Sequence, residues 1–270
     1  MNLYISDLDG TLLNNNAKLS DYTKSTLKEL INKNLNFSIA TARTPATVVP
    51  ILSDLDLKLP VVVMNGAAIY DIEKNKYIKF NSISPQAIDK ILSIFSENKI
   101  SALSYTICNN HINAYYDKIN NHVEEKFIKH RSGSPYKTFI NSKLPKNSNI
   151  LYFLLLNKKD IVFNIYNQIK DIDGISAIAY KDVYNDGFYN LEIYSDKSSK
   201  ANSIKGIMHT FNFDRLISFG DNLNDIPMFE ISDECYAVKN AVQELKDLST
   251  SVIDSNFNDG VANYLKSLNL

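Results

Sequence analysis

The alternation of short apolar segments with amphipathic segments constrains the fold of this chain most strongly. In residues 1–64, three apolar stretches alternate with two helical patterns, in the order 3–6, 21–32, 35–40, 45–55 and 61–64. Strands joined through helices need crossover connections, so this order predicts a parallel sheet with both faces covered. The same alternation returns from residue 200 to residue 268. We therefore predict an α/β fold: a doubly wound, Rossmann-like parallel sheet built from both ends of the chain.

The middle of the chain has a different pattern. Residues 68–80 and 101–116 each predict a pair of antiparallel strands, and a polar stretch at 130–147 predicts no regular structure. Further strands are predicted at 150–156, 175–180 and 187–194, with helices near 85–98 and 160–170. Antiparallel strands mixed with helices indicate an α+β domain. We predict a catalytic core of residues 1–82 and 190–270, with an α+β cap domain inserted at 83–189.

Composition excludes several classes of partner. The formal net charge is -1, which leaves no basic excess for a nucleic-acid backbone. The longest apolar run, Ile150 to Leu156, is too short to cross a membrane. The start of the chain lacks the pattern of a signal peptide, and its two cysteines form no paired motif. These observations predict a cytoplasmic protein that binds neither nucleic acid nor membrane.

A pair of carboxylates follows the first predicted strand. Asp7 and Asp9 stand two residues apart in Asp-Leu-Asp-Gly-Thr, so an extended chain would direct both carboxylates to one side. An aspartate of ordinary pKa is ionised at neutral pH and needs no base to act as a nucleophile. Attack of this anion on another anion is repelled by like charge, however, and therefore requires a cation.

The same D-x-D-G letters occur once more, at Asp171 to Gly174. This second copy follows a helical pattern instead of an apolar strand. Asp and Gly are common at such positions because they suit turns, so a turn is predicted there. The letters alone are weak evidence, and the strand before Asp7 makes the first copy the stronger one.

Three further polar motifs follow predicted core strands or begin a core helix. Thr41-Ala42-Arg43 follows the strand at 35–40, where a hydroxyl can hold a phosphate oxygen or cap a helix. Lys200 begins a helix, where a cation opposes the helix dipole and indicates a nearby anion; Lys197 is a rival. Gly220 to Asp225 follows the strand at 215–219 and offers the oxygen ligands that Mg²⁺ prefers. Open α/β sheets bind ligands at the carboxyl ends of their strands, so the motifs together predict phosphoryl transfer.

At these residues the chain resembles the haloacid dehalogenase superfamily, in particular its Cof-like sugar-phosphatase branch, subfamily IIB. The segments that carry the likeness are DLDGTLL at 7–13, TAR at 41–43, Lys200 and GDNLND at 220–225. Asn65 to Ala68 and two C-terminal stretches, 237–241 and 259–262, add to it. Around Lys200 the chain departs from the family pattern at three positions, where Ser195 replaces a Pro and Lys197 and Ala201 each replace a Gly.

The resemblance implies a role for each matching residue. Asp7 would be the nucleophile and a metal ligand, and Asp9 the acid/base and a metal ligand through its backbone carbonyl. Asp221 would ligate the metal directly with support from Asp225. Phosphate would be held by the remaining site residues, which are Thr41, Ala42, Lys200 and Asn224.

The predicted activity is Mg²⁺-dependent hydrolysis of a small phosphate ester, such as a sugar or polyol phosphate, through an aspartyl phosphate. The expected partners are this small molecule and Mg²⁺, with the protein a monomer or homodimer. Three alternatives stay open at this point. They are a phosphomutase, a phospho-acceptor signalling domain and a binding protein on the same scaffold.

Overall fold

The computed structural model describes residues 1–182 and 185–268. The chain forms two compact units, residues 1–79 with 199–270 and residues 80–198. The strands are, in chain order, β1 Asn2–Ser6, β2 Phe37–Ile39, β3 Val61–Val63, β4 Ala68–Asp71, β5 Lys76–Phe80, β6 Leu103–Cys108, β7 His111–Tyr116, β8 Lys137–Asn141, β9 Ile150–Lys158, β10 Ile175–Lys181, β11 Phe188–Ser195, β12 Arg215–Gly220, β13 Glu234–Val238 and β14 Ser251–Ile253. The helices are α1 Asp21–Asn32, α2 Pro45–Leu52, α3 Pro85–Glu97, α4 His122–Arg131, α5 Lys159–Ile169, α6 Lys200–Phe211, α7 Ile226–Phe229, α8 Gln243–Leu248 and α9 Gly260–Ser267.

The first unit is built on a parallel sheet with the strand order β14-β13-β12-β1-β2. Its two chain segments meet at the centre, where β1 pairs with β12 in register from Asn2 with Arg215 to Ser6 with Phe219. The apolar side chains of β1 are buried, as expected of a strand covered on both faces. The predicted α/β fold class is therefore confirmed.

One predicted member of this sheet pairs chiefly with a strand of another sheet. Strand β3 meets the parallel sheet through a bridge between Ala40 and Val62 and through a hydrogen bond from the Thr41 N–H to the Val62 carbonyl at 2.9 Å. Its full pairing is with β4, in an antiparallel three-stranded sheet of order β3-β4-β5. The apolar run at 61–64 does not show whether the strand belongs to the parallel sheet or pairs with β4, because its side chains are buried in either arrangement.

The second unit contains a six-stranded sheet of order β10-β11-β9-β6-β7-β8. Helices α3 and α5 cover one face through a core that includes Ile91, Phe95, Phe153 and Ile165. Strand β8 lies within the stretch predicted to have no regular structure, and it pairs in parallel with β7. The prediction failed there because β8 is short, lies at the sheet edge and is largely polar.

The chain returns to the first unit at Ser199 instead of residue 190. Strand β11 passes through residue 190 without interruption and pairs with both β9 and β10. Breaking the chain at 190 would divide these two hydrogen-bonded ladders, so the whole strand belongs to the second unit.

The second D-x-D-G copy forms the predicted turn. It follows α5 and precedes β10, and Gly174 has a φ of 82°, the left-handed conformation that glycine adopts readily. Asp171 and Asp173 are both exposed. Among the described residues, no helix has the length and apolar character needed to cross a membrane.

Candidate active site

Two polar loops meet at the carboxyl ends of β1 and β12. Asp7 directly follows β1, and its backbone N–H donates to the Phe219 carbonyl at 2.9 Å. Asp221 directly follows Gly220, the last residue of β12. Parallel pairing of the two strands therefore brings Asp7 and Asp221 to one edge of the sheet, although 214 positions separate them in the chain.

Lys200 lies between two carboxylates at this edge. Its Nζ donates to Asp7 Oδ1 at 2.5 Å and to Asp225 Oδ1 at 2.6 Å, and its side chain is 1% exposed. Lys200 is the first residue of α6, where the Ser199 side chain caps the helix by accepting from the Asn202 N–H. A lysine this deeply buried remains charged only if anions compensate it.

Three carboxylates converge around the Lys200 ammonium. Asp7, Asp221 and Asp225 each offer an oxygen, and these atoms lie within 4.8 Å of one another. Asp225 also accepts from the backbone N–H groups of Asp221 and Asn222, at 3.0 and 3.1 Å, and Thr11 Oγ1 donates to Asp221 at 3.0 Å. The site thus holds three acidic groups against one ammonium group.

This excess of negative charge perturbs the site's pKa values. Burial raises the pKa of Asp7 well above its ordinary value, and Asp225 and Asp221 add to the effect against the opposing charge of Lys200. Burial, followed by the charge of Asp225, raises the pKa of Asp221 to about 7. Burial alone would lower the pKa of Lys200, but Asp225 and Asp7 together raise it. A bound cation would oppose the rise at both carboxyl groups, since it favours their charged forms.

The donor set fits a hard divalent cation. Carboxylate oxygens are the preferred protein ligands of Mg²⁺, and the excess negative charge supplies the attraction. The packing is also specific, because a Cβ at Gly10 would collide with the Asp221 carboxylate. Gly10 has a φ of 81°, so glycine is favoured there on conformational grounds as well.

Asp9 lies differently from the sequence prediction. The chain turns at Leu8, whose carbonyl accepts from Leu12 and Leu13, so the extended-chain argument does not apply. The Asp9 side chain is 51% exposed and is bound by Arg43, which donates from Nε and Nη2 to the two carboxylate oxygens at 2.7 and 2.6 Å. Its carboxylate is thus directed to Arg43, outside the cluster of three carboxylates.

The predicted phosphate-binding residues occupy neighbouring loops. Thr41 is buried two residues after the end of β2, with its N–H donating to the Val62 carbonyl and its own carbonyl accepting from the Asn65 N–H. Ala42 is exposed beside it. Asn224 is exposed too, and its amide donates to Asn65 Oδ1 at 3.4 Å.

Several polar residues near the predicted ones were assigned no role from the sequence. Thr11 contacts Asp221, Arg43 contacts Asp9, and Asn65 links the loops of Thr41 and Asn224. All three lie inside the conspicuous motifs DLDGT, TAR and NGA. Proximity to a motif residue was therefore the available signal, while the contact itself depends on the fold.

The sequence profile of the haloacid dehalogenase-like hydrolases matches residues 4–265, nearly the whole chain. The chain belongs to the haloacid dehalogenase-like hydrolase family. A candidate phosphatase of Buchnera aphidicola subsp. Baizongia pistaciae is 30% identical over 272 residues, which cover 97% of this chain and 96% of that protein. Members of this family generally use a divalent metal, and the three carboxylates around Lys200 could hold one.

Two solved structures share the fold of this chain. TM0651 from Thermotoga maritima matches with a TM-score of 0.79 at 23% identity, covering 98% of this chain and 96% of that one. The subclass IIB sugar phosphatase BT4131 matches with a TM-score of 0.74 at 20% identity, covering 100% and 99%. The family and its phosphatase relatives make this haloacid dehalogenase-like protein a phosphoric monoester hydrolase, as the sequence predicted.

Proposed function

We propose that the protein hydrolyses a small sugar or polyol phosphate with Mg²⁺ through an aspartyl phosphate, the acyl phosphate of Asp7. The observation that carries the proposal is the buried group of Asp7, Asp221 and Asp225 around Lys200. This arrangement combines a nucleophile, an ammonium group for phosphate oxygens and a set of oxygen ligands in one place. These are the requirements of phosphoryl transfer to a carboxylate.

In the first step, an Asp7 carboxylate oxygen attacks phosphorus and the alcohol leaves. Lys200 touches Asp7 already, so its ammonium group lies beside the attacked phosphate and offsets the charge of the phosphate oxygens. Thr41, Ala42 and Asn224 would contact the phosphate from the neighbouring loops. In the second step, water attacks phosphorus and releases inorganic phosphate from Asp7.

Asp7, Asp221, Asp225 and the Asp9 carbonyl would hold Mg²⁺. When bound, this cation offsets charge on the phosphate oxygens and keeps Asp7 ionised. Asp9 would supply the proton to the leaving alcohol and then accept one from the attacking water. General acid–base assistance of this kind contributes about 10²–10⁴-fold to a rate.

A sugar or polyol phosphate is the substrate class we favour. BT4131, whose fold this chain shares over its full length, is a sugar phosphatase.

The test is a phosphate-release assay against glycerol 3-phosphate, ribose 5-phosphate, glucose 6-phosphate and p-nitrophenyl phosphate. We expect Mg²⁺-dependent release that EDTA stops and added Mg²⁺ restores. The Asp7→Asn variant should lose at least about 10³-fold in kcat, since no other group replaces the nucleophile. Activity that ignores EDTA would remove the metal from the account.

The chain offers a matched control for this variant. Asp171 begins the second D-x-D-G copy but lies in an exposed turn. Asp171→Asn should therefore keep wild-type activity and unfolding temperature. Full activity in Asp7→Asn, verified by mass spectrometry to be free of deamidation, would reject Asp7 as the nucleophile.

A further inference from the structure

Arg43 binds the carboxylate of Asp9 through two hydrogen bonds. Arg43 donates from Nε to one Asp9 oxygen and from Nη2 to the other, at 2.7 and 2.6 Å. Two parallel hydrogen bonds fix the plane of a carboxylate as well as its position. A single contact from a lysine would fix the position alone.

Without this pair, the Asp9 carboxylate would have little to orient it. Its side chain is 51% exposed, and within residues 1–182 and 185–268 both hydrogen bonds to its carboxylate come from Arg43. An exposed aspartate rotates about two side-chain bonds, whereas proton transfer requires a defined direction towards the leaving oxygen. A misplacement of about 1 Å can reduce a rate about 10²-fold.

Arg43 itself is held by the loop that follows β2. Its N–H donates to Thr41 Oγ1 at 3.1 Å, and its carbonyl accepts from the Met64 N–H at 3.0 Å. Its side chain is 22% exposed. The guanidinium therefore extends from a backbone that is fixed on both sides, which makes it a suitable support for an exposed carboxylate.

We propose that Arg43 is the positioning residue for Asp9: its guanidinium fixes the direction in which Asp9 exchanges its proton with the leaving group. The inference rests on the proposed role of Asp9 as the acid. Arg43 acts through Asp9 in this account, because Nε and Nη2 are both used in binding the carboxylate. The alternative role for an arginine at this point is direct binding of phosphate.

The two roles differ in their dependence on the leaving group. p-Nitrophenolate leaves without a proton, whereas a sugar alkoxide requires one. The probes are p-nitrophenyl phosphate and the sugar phosphate hydrolysed fastest in the panel above. We expect Arg43→Gln to lower kcat/KM for the sugar phosphate at least about tenfold more than for p-nitrophenyl phosphate. Equal losses for both esters, with weaker inhibition by inorganic phosphate, would overturn the proposal in favour of phosphate binding.

A double-variant comparison isolates the action through Asp9. In the Asp9→Asn background the acid is already lost, so adding Arg43→Gln should change the ratio of the two kcat/KM values less than twofold. A further loss equal to that of Arg43→Gln alone would contradict action through Asp9. Arg43→Lys keeps the charge but loses the second hydrogen bond, so it should restore only part of the ratio.

Arg215→Gln is the matched control for folding and surface charge. Arg215 pairs with Glu234 at the start of β12, the opposite end of the strand from Asp221. This variant should keep both kcat/KM values, and near-wild-type circular dichroism of Arg43→Gln will exclude misfolding. Wild-type rates of hydrolysis in Asp7→Asn would reject the proposed function itself. If Asp7→Asn is inactive but Arg43→Gln loses kcat/KM equally for both esters, only the role of Arg43 is rejected.

Discussion

Removal of the Lys200 ammonium group should lower the free energy of unfolding more than removal of an exposed lysine does. In Lys200→Met, three carboxylates within 4.8 Å would lose the one ammonium group that touches Asp7 and Asp225. At an effective dielectric constant of about 20, the Coulomb attraction of an ion pair at the Lys200–Asp7 distance of 2.5 Å is about 7 kcal/mol before desolvation. Loss of one partner of a buried pair typically costs about 3–5 kcal/mol, which is the loss we expect.

Urea unfolding followed by circular dichroism at pH 7 in EDTA measures this loss. Mg²⁺ should restore part of it, because the cation supplies the missing positive charge and binds only the folded site. Adding Asp225→Asn to Lys200→Met should also recover stability, since it removes one uncompensated charge. Lys33→Met, at an exposed lysine paired with Glu29, should match the wild type within error.

The electrostatic account would be refuted by a Lys200→Met variant within about 1 kcal/mol of wild type, provided that the double variant is no more stable than the single one. Such a result would mean that the carboxylates are relieved by protonation or water, so that the lysine contributes little to their stability.

Two further predictions concern protons. Burial raises the pKa of Glu124 to about 7 from an ordinary 4.5, so folding favours its protonated form. The stability that this carboxyl group contributes is therefore fully present below pH 4.5 and is lost as the pH rises through 7. Glu124→Gln should therefore match wild type near pH 4.5 and exceed it at pH 8 by up to about 3 kcal/mol in urea unfolding; a constant difference across pH would contradict this. Burial also raises the pKa of Asp221 to about 7, so Mg²⁺ must displace protons at low pH. Calorimetry should show affinity that increases from pH 5 to pH 8 with proton release, and a pH-independent affinity would oppose the assigned ligands.

Periodicity was sufficient to predict the core sheet, because buried parallel strands are apolar on both faces. It was insufficient at β8, a five-residue edge strand in which three of the residues are polar. The predicted return to the core at residue 190 failed for a related reason. A strand in an antiparallel sheet and a strand entering the core look alike until their partners are known.

The sequence predicted which motifs form the site but not which of their side chains contact one another. Lys200 was expected to begin a helix. Its burial between Asp7 and Asp225, however, depends on the pairing of β1 with β12. The expectation for Asp9 assumed an extended chain, whereas the turn at Leu8 redirects its side chain to Arg43. Such contacts join loops that are far apart in the chain, so the spacing of residues within one motif cannot predict them.

The proposed mechanism requires that phosphate is transferred to Asp7 before water releases it. Rapid acid quench of the enzyme with a ³²P-labelled sugar phosphate and Mg²⁺, followed by peptide mapping, detects such an intermediate. We expect acid-stable, base-labile label on the peptide that contains Asp7, in larger amount when Asp9→Asn slows its hydrolysis. Steady turnover with no label on that peptide in either protein, or label that persists in Asp7→Asn, would rule out phosphate transfer to Asp7.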